Sequence, residues 1–185
     1  MSLLITTLYV LAAVLGASFA VAEFRLIARF LRNRASVRAA VRSRRNGAPA
    51  LGHRSPLPNV TIQLPLYNER LSARQVILAA AAQSYPADRF DIQVLDDSTD
   101  ETTAMVGEVV EEVRAKGIRI EHIHRQVRTG YKAGAMAGGL ERSSADFVAV
   151  FDADFTPQPD FLWRTLVEED AFQDPTVAFL QTRWS

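Results

Sequence analysis

The chain has 185 residues, 48% of them hydrophobic, with 21 basic and 21 acidic residues and no cysteine. This excludes disulfide frameworks, thiolate nucleophiles and zinc–cysteine sites, and it fits a domain facing a reducing compartment. The formal net charge of zero hides an asymmetry. Residues 23–54 hold nine arginines and a single acidic residue, Glu23, whereas residues 55–185 hold twelve basic against twenty acidic residues.

Leu3 to Ala22 is a run of twenty residues without charge. As a helix rising 1.5 Å per residue it spans about 30 Å, the hydrocarbon thickness of a bilayer. Ala20, Val21 and Ala22 also fit a signal-cleavage site. A cleaved leader, however, needs a basic start and an apolar core of about 7–15 residues. This run is longer and has no Lys or Arg before it, so residues 1–22 read as a retained transmembrane helix. Eight arginines follow between Arg25 and Arg45. The positive-inside rule predicts that this side faces the cytoplasm, and the soluble domain with it, in a plasma, inner or Golgi membrane. Phe24, Leu26, Ile27, Phe30, Leu31, Val37 and Val41 lie among the arginines. Residues 23–57 are therefore either an interfacial helix on anionic lipid or a solvated basic connector. A nucleic-acid surface is not expected, because the stretch abuts the span and its only stacking aromatics are two Phe. Asn46–Pro58, rich in Gly and Pro, reads as a linker.

From Val60 the pattern alternates. A β-rich run to Leu64, ended by Pro65, is followed by a helix over 71–83 and a strand over 90–95. A helix over 99–116 follows, with Asp100 and Glu101 in its first turn and Gly117 at its end, then a strand over 118–123. A helix over 133–142, a strand over 146–151, a helix over 160–172 and a strand over 176–180 complete the series. Such alternation predicts an α/β fold, an open and mostly parallel sheet with helices on both faces. In these sheets ligands bind beyond the carboxyl ends of the strands.

That rule gathers Tyr67, Asn68 and Glu69 after the first strand, Asp96 and Asp97 after the second, and Asp152 and Asp154 after the fourth on one rim. A rim this acidic repels an anionic ligand unless a cation intervenes. Mg²⁺ or Mn²⁺, which take oxygen ligands and bridge carboxylates to phosphates, are the natural choice. Asp152 and Asp154, at i and i+2 beyond the apolar run Phe147–Phe151, start on the same side if the backbone stays extended. Acidic pairs at strand ends also cap helices and solvate turns, so the triplet alone is weak. Its apolar context, which predicts a strand buried on both faces, strengthens it. Gly130 to Ala135 places Lys132, one of two lysines in the chain, between glycines. A helix starting near Ala133 would aim its amides at the rim, suiting a diphosphate. Read in isolation, the segment is a glycine-rich turn with a solvated lysine. Neither a P-loop nor a dinucleotide fingerprint occurs. His122 and His124 alternate on a strand and read as surface or rim residues rather than metal ligands.

Taken in order, PLYNE (Pro65–Glu69), QVLDDSTDET (Gln93–Thr102), GYKAGA (Gly130–Ala135), FDADF (Phe151–Phe155) and QTRW (Gln181–Trp184) resemble the family 2 glycosyltransferases. The likeness is to the cellulose-synthase-like branch that includes glucomannan and xyloglucan-backbone synthases, and it covers residues 58–185. It implies a GT-A fold, a nucleoside-diphosphate sugar donor, Mg²⁺ or Mn²⁺, and inversion at the anomeric carbon. Carried over by position, Asp97 would contact the nucleoside base, Asp152 the ribose or diphosphate, Asp154 the metal and Lys132 the diphosphate. Tyr67 and Glu69 would border the nucleoside pocket. Family members carry a later acidic motif supplying the general base, a later acceptor-binding Gln-x-x-Arg-Trp and further membrane helices. None is found before Ser185, so residues 58–185 read as a GT-A domain truncated at its C-terminal end, with the general base outside this chain. Gln181–Trp184 reads instead as a core-strand segment with Trp184 packed. Three functions follow: the donor half of a membrane enzyme extending a β-linked polysaccharide, a tethered nucleotide-sugar-binding module, or a glycolipid-forming enzyme similar to ceramide glucosyltransferases.

Overall fold

The computed structural model describes residues 2–47, 56–169, 171–174 and 176–182, with side chains before residue 56 described for 3–29, 31 and 32. Two compact units are present, Met1–Pro49 and Ala50–Ser185. The first is a single helix, α1 (Ser2–Gly47). The basic stretch after Ala22 thus continues the apolar helix, as expected where neither Gly nor Pro falls between Gly16 and Gly47. Leu3–Arg29 is long and apolar enough to cross a membrane, and none of it is buried. Two of its hydroxyls turn back on the backbone: Thr7 Oγ1 donates to Leu3 O at 2.9 Å and Ser18 Oγ to Leu15 O at 2.8 Å. In lipid, such bonds would satisfy hydroxyls that the surroundings could not. The side chains of Phe30, Val37, Val41 and the arginines from Arg34 to Arg45, and residues 48–55 of the linker, lie outside the described residues.

The second unit is a four-stranded parallel sheet in the order β3-β2-β1-β4, with β1 at Val60–Leu66, β2 at Phe90–Asp96, β3 at Ile120–His124 and β4 at Phe147–Val150. β1 is buried along its whole length. Alternation sends Val60, Ile62, Leu64 and Leu66 to one face, where they pack with Ala73, Val76, Ile77 and Ala80 of α2 (Arg70–Ala81) and Val106, Val109, Val110 and Val113 of α3 (Thr102–Ala115). The other face carries Thr61 and Gln63 against α4 (Tyr131–Leu140). There Gln63 Nε2 donates to Gln93 Oε1 at 3.0 Å and to Met136 O at 3.3 Å. Gly139 makes this approach possible, because a Cβ there would sit 2.6 Å from Gln63 Nε2. The fold is the doubly covered α/β sheet that the alternation implied.

Several boundaries differ from the sequence reading. β1 runs through Pro65 to Leu66. Gln63 O accepts from Phe151 on the β4 side and Leu66 O from Asp97 on the β2 side, so Pro65 faces the β4 side, where pairing ends at Gln63 and no N–H is required. β4 is a sheet edge with Val148 and Val150 exposed, not a strand buried on both faces. The helix expected over 160–172 is a single α-turn, α5 (Phe161–Trp163), that widens into a π-turn over Arg164–Glu168 and later a 3₁₀ turn over Ala171–Gln173. Thr165 Oγ1 bonds back to Phe161 O at 2.8 Å, and Glu169 N reaches Arg164 O, the five-residue spacing of a π-turn. No strand forms over 176–180. Leu180, Gln181 and Thr182 instead line a groove beside Val148 and Val150. Arg183 and Trp184 lie outside the described residues.

Candidate functional site

The strand order steps outward from β1 to β2 to β3 and then returns to the opposite side for β4. The reversal leaves a crevice beyond the carboxyl ends of β1 and β4, the usual ligand position in such sheets. Tyr67–Glu69 leave β1 and Asp152–Asp154 leave β4 on its two sides. Asn68 takes a left-handed turn with φ 54°. Two bonds pin it to the end of β2: its N–H donates to Ser98 Oγ, and Thr99 N–H donates to its Oδ1, both at 2.9 Å.

Asp152 and Asp154 do not remain extended. Phe155 N–H donates to Asp152 O at 2.9 Å, closing a turn in which Ala153 is buried and both carboxylates are exposed. Phe151 anchors the turn beneath. It is 1% exposed and packs edge-on against Phe161 with ring centroids 4.9 Å apart. Lys132 Nζ pairs with Asp152 Oδ1 across the crevice. Helix α4 starts at Tyr131, two residues earlier than the sequence suggested, so Lys132 stands in its first turn. Gly130 precedes it at φ 72°. Gly134 lets that turn close on the loop before it, since a Cβ there would lie 2.0 Å from Thr129 O.

The two aspartates after β2 have separate fates. Asp97 is almost fully buried and accepts Arg125 Nε on one oxygen and Arg125 Nη2 on the other, both at 2.7 Å. Arg125 also donates to Thr129 O and Tyr131 O, tying the β3–α4 loop to β2. The Asp97 carboxylate in turn raises Arg125 above the ordinary arginine range. A carboxylate has about four acceptor positions, so this fork leaves room for a ligand N–H. Asp96, expected on the open rim, is instead fully buried beneath it. Burial pushes its carboxyl up, but bonds from His122 and Ser98 outweigh that and hold it well below the ordinary carboxylate range.

Arg125 and Arg128 are the residues that the sequence reading missed. Arg128 lies flat on Tyr67, its Cζ 3.3 Å from the ring centroid, and its Nε is 3.6 Å from Asp97 Oδ2. That Nε is buried without a hydrogen-bond partner among the described residues. The strand-end rule, applied to β3 as it was to β1, β2 and β4, points to both arginines. Of the sequence-selected residues, Tyr67 and Asp97 are joined through Arg125 and Arg128, and Lys132 and Asp152 pair directly. Glu69 takes a bond from Ser72 Oγ, and Asp154 lies at the tip of the β4 turn. Neither contacts that network.

Residues 61–184 match the family described as "Glycosyl transferase family 2". The chain belongs to glycosyl transferase family 2. Within this family it is 46% identical over 134 residues to glucomannan 4-beta-mannosyltransferase 9 of Arabidopsis thaliana, covering 70% of this chain and 25% of that one. It is 42% identical over 131 residues to glucomannan 4-beta-mannosyltransferase 1 of Cyamopsis tetragonoloba, covering 69% and 24%. The chain thus spans about a quarter of the length of these curated relatives. Among solved structures it is similar to mannosyltransferase PcManGT from Pyrobaculum calidifontis, solved with GDP-Man and Mn²⁺. That likeness has a TM-score of 0.57 and 24% identity over 77% of this chain and 45% of the other. A second likeness, to residues 1–349 of S. aureus TarS, has a TM-score of 0.52 and 23% identity over 63% and 32%. Both show that this family 2 member has the GT-A fold.

Proposed function

We propose that this family 2 glycosyltransferase binds a nucleoside-diphosphate hexose in the β1/β4 crevice and serves transfer of that hexose to a growing β-linked polysaccharide. Mannose is the favoured sugar, given the relatives' names. The observation that carries the reading is the joined rim of Tyr67, Arg128, Asp97, Arg125, Lys132 and Asp152. Tyr67 and Arg128 offer flat faces for a nucleobase, and Asp97 offers acceptor positions to its N–H groups. Glu69 borders this pocket. Lys132, in the first turn of a ten-residue helix, faces the diphosphate together with that helix's amides.

The exposed carboxylate of Asp154, with Asp152 beside it, is an oxygen donor set that fits Mg²⁺ or Mn²⁺ completed by phosphate and water. When bound, the ion neutralises charge growing on the leaving diphosphate as an acceptor hydroxyl attacks the anomeric carbon. Lys132 adds a charge-assisted hydrogen bond to the same leaving group. Lys132 pairs with Asp152, so on binding it would exchange one anionic partner for another. Helix α1 anchors the chain, with the arginines after it holding the second unit on the cytoplasmic side.

The test is calorimetric titration of the chain in detergent with Mn²⁺ and a donor panel. GDP-mannose should bind more tightly than UDP-glucose. Lys132→Ala should lose about 1.5–3 kcal/mol toward the diphosphate and little toward the bare nucleoside. No binding of any donor, or equal losses for diphosphate and nucleoside, would overturn the assignment.

A further inference from the structure

Asp96, His122 and His124 take no direct part in the donor site, yet they converge. His122 and His124 stand two residues apart on β3, so their side chains leave the same face. Asp96 is paired with His124 in the β2–β3 register, and His122 is opposite Val94. His122 Nε2 lies 2.9 Å and His124 Nδ1 3.3 Å from one oxygen, Asp96 Oδ2. The three ligand atoms all lie within 4.8 Å of one another. The other carboxylate oxygen, Oδ1, accepts Ser98 N–H at 2.8 Å, which fixes the rotamer and leaves Oδ2 to the imidazoles. We propose that Asp96, His122 and His124 form a second cation site that takes Zn²⁺, separate from the carboxylates of the β4 turn.

The donor chemistry selects the ion. Two imidazole nitrogens and one carboxylate oxygen suit Zn²⁺, whereas Mg²⁺ and Mn²⁺ favour all-oxygen sets such as Asp152, Asp154 and phosphate. Zinc–ligand distances of about 2.0–2.2 Å in a tetrahedron place ligand atoms about 3.4 Å apart. The two nitrogen–oxygen separations are close to that, and the two nitrogens lie within 4.8 Å of each other. The rings already stand 6.3 Å apart at 62°. The Ser98 bond is the kind of supporting contact that orients a ligating carboxylate. Access comes from the His124 side, whose side chain is 36% exposed, and water fills the fourth position. On binding, His122 Nε2 gives up its hydrogen while Nδ1 takes one up, a change of tautomer with no net proton release, and the freed Nε2 lone pair takes the metal. The ion would clamp the ends of β2 and β3, where Arg125 N–H already donates to Asp96 O at 2.9 Å. This stiffens the peptide leading into Asp97.

The chain has only three histidines and no cysteine, which makes the test clean. Tag-free chain in detergent is stripped with chelator, desalted, and titrated with Zn²⁺ and with Co²⁺ in excess Mg²⁺. Calorimetry, the visible absorption of Co²⁺ and the melting temperature are followed. One Zn²⁺ per chain is expected, with a rise in melting temperature. His124→Ala and His122→Gln should each weaken binding at least tenfold, while His53→Ala and Asp154→Ala leave it unchanged. Unshifted circular dichroism of His124→Ala confirms that the loss is not unfolding. Absence of Zn²⁺ binding, binding that survives both β3 variants, or binding that falls with Asp154→Ala would each overturn the proposal.

Discussion

Replacing Arg125 with Ala removes both 2.7 Å bonds to Asp97 and the bonds to Thr129 O and Tyr131 O. The Asp97 side chain is 4% exposed, so its carboxylate stays out of water with Arg128, 3.6 Å away, as the nearest remaining cation. Breaking a buried ion pair by deleting one partner costs about 3–5 kcal/mol. Arg125 is itself 22% exposed, and Arg128 remains, so the expected loss is lower, about 2–3 kcal/mol. Asp97→Asn removes the stranded charge, so the double variant should be more stable than the sum of the singles by at least about 1 kcal/mol. Urea unfolding in detergent, followed by tryptophan fluorescence, gives midpoint and slope for all four proteins. Additive losses, or an Arg125→Ala effect below about 0.5 kcal/mol, would refute the claim that this fork ties the β3–α4 loop to the rim.

Two further expectations follow from the packing and the charges. Gly138 and Gly139 are neighbours in α4, but an added Cβ meets nothing within 4 Å at Gly138 and lies 2.6–2.7 Å from the Gln63 and Gln93 amides at Gly139. Gly138→Ala should stabilise by up to about 1 kcal/mol through helix propensity, and Gly139→Ala should cost about 1–3 kcal/mol by overpacking a buried polar pair. Melting temperatures moving in the same direction would contradict this. Burial raises the Asp91 carboxyl above its ordinary range, against the opposing pull of Thr61 and Arg119. A raised native pKa means that stability falls as pH rises from the unfolded value of about 3.9 through the folded one. Asp91→Asn should therefore be more stable than wild type at pH 7, with the gap closing below about pH 4. A gap unchanged at low pH would point to another cause.

The motif order and the sheet were legible because both are written locally. Apolar runs bounded by Pro, Gly and acidic turns located β1 to β4, the strand-end rule brought Tyr67, Asp97 and Asp152 together, and the glycine-flanked helix start added Lys132. What stayed hidden depends on contacts between distant residues. Arg125 reaches Asp97 across 28 positions and Arg128 finds Tyr67 across a longer separation. In sequence, both read as solvated charges following a strand. Asp96 and Asp97 look equivalent, yet strand alternation sends one beneath the rim to the histidines and the other toward the arginines. The apolar run at β4 suggested burial on both faces, but an edge strand can carry Val148 and Val150 outward. Thr165, bonding back to Phe161, helps explain why a segment with helical spacing widened into a π-turn.

The proposed donor site needs a divalent cation between the β4-turn carboxylates and a donor diphosphate. Paramagnetic resonance of Mn²⁺ tests it directly: the free-ion signal is followed as chain and GDP-mannose are added together, with wild type and Asp154→Ala side by side. Wild type and donor together should deplete the free signal far more than either alone, and Asp154→Ala should weaken this at least tenfold. Undiminished donor binding in EDTA, or full Mn²⁺ uptake by Asp154→Ala, would contradict it.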